Sequence, residues 1–210
     1  MRYIHAQSGV GKIALWGDSY SAMVALVAGA LIPEIDAVVA QIPACGPEIP
    51  DIEPSDALFE DLKATFERSD VTGGPEYTTG PLPVVSSDQL NAPSLLTPIQ
   101  AYRWFLEYGG RFGTGWENRA TRVIPPTPVP FNAWLAAPYL KAPVLMMVGR
   151  DDEMVHYNPA VPRAVFGAFP ASKEFYEIDG GHFGLLWHPG ALLDEATALQ
   201  TDFLRRTLLG

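Results

Sequence analysis

A single cysteine, Cys45, occurs among the 210 residues, so no intramolecular disulfide can form. It fits a reducing compartment and reads as a small buried hydrophobe. Basic residues are also few: 14 Lys and Arg stand against 24 Asp and Glu, a formal net charge of −10. They form no cluster, which argues against nucleic acid or an anionic membrane as partner. No charged-then-apolar signal pattern opens the sequence. The apolar run 22–31 is about half of the ~20 residues that a membrane span needs. A cytoplasmic chain without a membrane partner is therefore expected. His182 and His188 have no cysteine nearby and do not make a metal site, and no metal or organic cofactor is implied. Ser8-Gly9-Val10-Gly11-Lys12 is not a phosphate loop, because Ala6 and Ile13 stand where glycine and Ser or Thr are required.

What the chain does have is apolar material, 48% hydrophobic against 18% charged residues, enough for a folded core. It is organised around residues 13–31. A short apolar run, 13–16, predicts a buried strand. Gly17-Asp18-Ser19-Tyr20-Ser21 follows at once, and 22–31 is apolar on every side, as in a helix with no solvent face. Strand, small-residue turn with a central serine, and buried helix form the layout of a nucleophile elbow. Such a turn would lift the Ser19 hydroxyl off the sheet and aim the Tyr20 N–H at a developing oxyanion. A serine capping a core helix is the bland alternative.

A second buried strand is predicted over 37–42, giving a parallel β-α-β unit. From 43 to 138 the texture turns rich in Pro and Gly. Helices are expected over 55–68 and 98–108, and a stiff extended connector over 125–130. That length is too great for a simple loop and is read as an inserted cap. Residues 46–138 are taken as the cap, and 1–45 with 139–210 as the core. The aromatics Trp104, Trp116, Phe131 and Trp134 serve either as cap core or as substrate wall. The regular pattern returns with a strand over 142–149, a helix over 159–169, a strand over 174–178 and a helix over 191–208. The fold class is thus α/β: a mainly parallel sheet flanked by helices, with an insertion.

Three chemically useful residues fall at equivalent places. Ser19 follows one strand, an acid (Asp151 or Asp152) another, and His182 a third. In an open parallel sheet such loops gather at one edge. A serine hydroxyl needs an imidazole to take its proton, and the imidazole needs a carboxylate to orient it. The other histidines, His5, His156 and His188, lie off these loops and are read as structural.

Residues 13–22, 143–155 and 175–184, with the helix over 191–208, resemble the α/β-hydrolase superfamily. The dienelactone-hydrolase-like and prolyl-oligopeptidase-like branches, with elbows of the GxSYxG type, are the most similar. The resemblance implies Ser19 as nucleophile, His182 as base and the Tyr20 N–H as an oxyanion donor. Through the spacing Gly149…Asp152…Val155, it implies Asp152 as acid. It implies a serine ester hydrolase acting through an acyl-enzyme on a small-molecule ester, a peptidase or lactone hydrolase being the near variants. Two departures stand out. Ser21 replaces the usual glycine, and only residues 1–12 precede the elbow strand, where the family has several strands and a second oxyanion donor. The core is therefore expected to be shortened, as a natural short form or a truncation. Its edge strand is expected to be covered by the cap or by a second subunit. An SGNH-type esterase using Asp179 and His182 is the competing fold. A non-catalytic relic acting as an interaction protein is the competing function.

Overall fold

The computed structural model describes residues 2–68, 74–124, 127, 131–155 and 157–210. After the one-turn α1 (Arg2–His5), strand β1 (Ala14–Asp18) leads through Ser19 into α2 (Tyr20–Leu31) and on to β2 (Ala37–Gln41). The insertion holds α3 (Asp56–Arg68), β3 (Thr78–Leu82), α4 (Ile99–Trp104) and β4 (Ala120–Val123). Then α5 (Ala133–Ala136), β5 (Val144–Gly149), α6 (Ala160–Ala168), β6 (Lys173–Ile178) and α7 (Ala191–Leu204) complete the chain. The main sheet runs β1-β2-β5-β6 with every pair parallel. This is the α/β class expected: a parallel sheet with helices on both faces.

Alternation along the central strands divides the core. Val38, Ala40, Val144 and Met146 point to one face, where α2, α5 and α6 cover them. Ala37, Val39, Leu145 and Met147 point to the other, packed by Ala196 and Phe203 of α7. Both faces being covered explains why β2 and β5 read as continuous apolar runs. Gly29 lets α2 sit close on the sheet, since a Cβ there would come within 2.7 Å of Val38 Cγ2.

The insertion does two things. Leu62 of α3 is buried in the same core cluster as α2 and α5, so this helix extends the core. Val85 and Ala101 form a separate cluster with Phe183, against which Trp104, Phe105, Trp116 and Met154 pack. The small β3–β4 sheet is antiparallel and was not anticipated. β1 is an edge strand: among the described residues it pairs with β2 alone, and Trp16 is half exposed. The insertion's strands pair with each other and not with β1. Most of the extended connector expected at 125–130, and His156, lie outside the described residues. Among those described, no helix is long and apolar enough to cross a membrane.

Candidate active site

Ser19 stands between the end of β1 and the start of α2 with φ 57° and ψ −119°. L-residues rarely adopt positive φ, which costs about 1–3 kcal/mol and persists only where neighbours enforce it. Here the Ser19 N–H donates to the Gln41 carbonyl at 2.9 Å, and the Ser19 carbonyl accepts from the N–H of Ala22 and of Ala44, each at 3.1 Å. Gly17 is obligatory, because a Cβ there would lie 2.2 Å from the Ser21 carbonyl oxygen. The Ser21 hydroxyl closes the turn, donating to the Asp18 carbonyl at 2.7 Å and accepting from the Asp18 N–H at 2.9 Å. It is thereby committed to the backbone and does not serve as a spare oxyanion donor. The Ser19 side chain makes no capping bond to α2. The helix-cap alternative therefore does not describe it.

The one other non-glycine residue with positive φ among those described is Ile42, at 46°. For a β-branched residue this is a genuine outlier. Its N–H donates to the Met147 carbonyl at 2.8 Å, and the bend sends residues 43–47 along the wall beside Ser19. Backbone strain thus collects at the ends of two adjacent strands, both facing one cavity.

The acid and the imidazole come from the next two strands. Asp152 Oδ2 lies 3.0 Å from His182 Nδ1, while its Oδ1 accepts the Met154 N–H at 2.9 Å. Side-chain exposures of 3% and 6% shield this pair from water. The carboxylate selects the tautomer with the proton on Nδ1, leaving Nε2 as an acceptor. Asp151 is exposed, and Asp179 is exposed and paired with Arg150. The acid beside His182 is therefore Asp152, the one that the family resemblance implied, and neither Asp151 nor Asp179. His188 is exposed, its N–H donating to the Tyr108 hydroxyl. Tyr20 opens α2, is 69% exposed and lines a different cavity from Ser19, while its backbone N–H is one of the first-turn donors of the helix.

Ser19, Asp152 and His182 line one cavity of about 200 Å³, whose other walls include Pro43, Cys45, Met154, Tyr157 and Pro162. The four aromatics weighed as substrate wall do not line it. Trp104 and Trp116 pack near Phe183, and Phe131 and Trp134 pack on the core. Burial pushes the Cys45 thiol up to about 12. Burial, then the Asp152 charge, raises the Tyr157 phenol. Burial also raises the Asp18 carboxyl, against the lowering effect of the hydrogen bond from Gln41 and of the His182 charge. Asp18 ends a polar chain that passes from Gln41 to Gln200 of α7 and on to the Trp16 indole.

Sequence reasoning missed one residue here. Glu153 Oε2 accepts the backbone N–H of His182 at 2.7 Å. Its only signal was a third consecutive acid in the loop, indistinguishable in sequence from a solvated charge.

No protein-family model matches the chain. The polyketide transferase af380 of Aspergillus fumigatus is 28% identical over 211 residues, spanning 97% of this chain and 67% of the transferase. DcsB, solved in complex with its substrate analogue, superposes with a TM-score of 0.59 at 22% identity, covering 100% of this chain and 70% of DcsB. The α/β hydrolase GrgF from Penicillium sp. sh18 gives 0.51 at 19% identity, covering 94% and 64%. A monoacylglycerol lipase of Paleococcus ferrophilus gives 0.50 at 20%, covering 92% and 68%. The chain thus spans roughly two thirds of the length of each of these proteins. Parallel sheet, strained serine turn and neighbours together identify the architecture: the chain has the α/β-hydrolase fold.

Proposed function

We propose that this chain is a serine hydrolase that cleaves carboxylic esters through an acyl-enzyme. The observation that carries the proposal is the strained Ser19 sharing a cavity with a shielded Asp152–His182 pair. Ser19 Oγ attacks the ester carbonyl while His182 Nε2 takes its proton, and Asp152 stabilises the imidazolium. The Tyr20 N–H, at the positive end of α2, faces the developing oxyanion. His182 returns the proton to the leaving alcohol, and water, activated by the same imidazole, releases the acid. The cavity is apolar and lies below the usual ~300–1,000 Å³ of ligand pockets, which favours a short acyl group.

A second reading comes from the transferase of Aspergillus fumigatus. The acyl-enzyme would pass its acyl group to an alcohol other than water, by the same residues. Turnover of p-nitrophenyl butyrate by wild type and Ser19→Ala tests the shared first step. Loss of at least ~10³-fold in the variant is expected. Equal turnover would sink both readings. An added alcohol that speeds p-nitrophenol release and forms a new ester would favour transfer.

A further inference from the structure

The loop that carries His182, Asp179-Gly180-Gly181-His182-Phe183-Gly184, contains three glycines and so has little stiffness of its own. An imidazole on such a loop drifts unless its backbone is held, and a misplacement of ~1 Å can cost ~10²-fold in rate. Two consecutive acids grip His182 at opposite ends. Asp152 takes the ring. Glu153 takes the main chain: Oε2 accepts the His182 N–H at 2.7 Å, and Oε1 faces the Phe183 N–H at 3.4 Å. Hydrogen bonds from N–H to an ionised carboxylate are among the stronger ones.

The surroundings are fitted to this contact. A Cβ on Gly181 would lie 2.2 Å from Glu153 Oε2, so glycine at 181 leaves the space into which the carboxylate reaches. Met154 and Phe183, the next residue on each side of the grip, both belong to the apolar cluster formed with the insertion. The two loops are therefore clamped by a carboxylate in the middle and by packing at the end.

We propose that Glu153 is a positioning residue for His182, fixing the imidazole through its backbone so that it serves Ser19 and Asp152 together. This rests on the reading of Ser19, His182 and Asp152 as the catalytic set. In the acyl transfer Glu153 touches no reacting atom.

Three variants of the full chain test it: Glu153→Ala removes both acceptors, Glu153→Gln keeps one and loses the charge, and Gly181→Ala displaces an intact Glu153. The readouts are kcat and KM for p-nitrophenyl butyrate, the circular dichroism spectrum, and the low-field proton resonance of His182 Nδ1–H. Glu153→Ala and Gly181→Ala are expected to lower kcat by about 10²-fold at nearly constant KM, with a folded spectrum and a broadened or lost resonance. Glu153→Gln is expected to lose about tenfold. Wild-type kcat and resonance in the first two variants would overturn the proposal. If either unfolds, Glu153→Gln decides: a tenfold loss at constant KM supports the role, and wild-type behaviour refutes it. If wild type itself turns over no ester, the catalytic reading fails. The resonance then still reports whether Glu153 holds the ring, so the two failures are distinct.

Discussion

Asp18 is a partly buried acid next to the candidate nucleophile, and its protonation has a consequence for stability. Burial raises its carboxyl above the ordinary 3.8, more than the Gln41 hydrogen bond and the His182 charge lower it. The native state therefore binds that proton more tightly than the unfolded chain does. Its stabilising contribution is full below the ordinary value and is lost as pH rises through the raised one. Asp18→Asn, whose side-chain oxygen still accepts from Gln41, is expected to raise Tm at pH 7. The difference should shrink to nothing below about pH 3.8 in paired thermal melts. A lower Tm at pH 7 would show that the charge is held favourably. Cys45 gives a second residue-level test. With its thiol buried and held up to about 12, it should resist iodoacetamide at pH 8 in the native protein and react fully in denaturant. Rapid native labelling would contradict the burial.

The placement of residues that follow strands was legible: Ser19, Asp152 and His182 each follow a strand and line one cavity, and the family resemblance preferred Asp152 to Asp151. Residues whose role depends on geometry were not. Ser21 reads as a small stand-in for glycine, yet its hydroxyl staples the turn at both backbone atoms of Asp18. Ile42 gives no sign in sequence of its left-handed backbone.

At the scale of elements, strands buried on both faces announced themselves. β2 and β5 are buried throughout, and their observed bounds fall within the expected 37–42 and 142–149. β3 and β4 did not: Thr78, Thr79, Gly80, Pro81 and Leu82 are mostly exposed, and a proline within the run argues against a strand. The helix expected over 98–108 is α over Ile99–Trp104 and widens to a π turn over Phe105–Gly109, a change the apolar pattern does not mark. α2 was recognisable by its apolar run, with Ala22, Leu26 and Leu31 in the core, although the expected absence of a solvent face does not hold, since Val24 is about half exposed. Leu26→Ala, at a site 1% exposed between α2 and the sheet, should destabilise by about 2–5 kcal/mol in urea melts. A loss under about 1 kcal/mol would mean that α2 packs more loosely than described.

For the whole molecule, the connection between insertion and site is the feature that sequence could suggest but not place. Length and composition marked 46–138 as an insertion. Its aromatics pack on the loop of His182, with Trp104 and Phe105 ring centroids 6.1 and 6.5 Å from that of Phe183. None of the four weighed as substrate wall lines the cavity. Trp104→Ala is therefore expected to lower kcat more than it raises KM, by loosening the His182 loop. A rise in KM alone would place Trp104 against substrate.

Covalent capture tests whether Ser19 is an activated nucleophile without any assumption about substrate. Incubated with a fluorophosphonate, the protein should gain one adduct, found by peptide mass spectrometry on Ser19. The labelling rate should fall by about 10⁴-fold in Asp152→Asn. An unlabelled Ser19 in folded protein, or equal labelling in Asp152→Asn, would rule out an activated serine at this position.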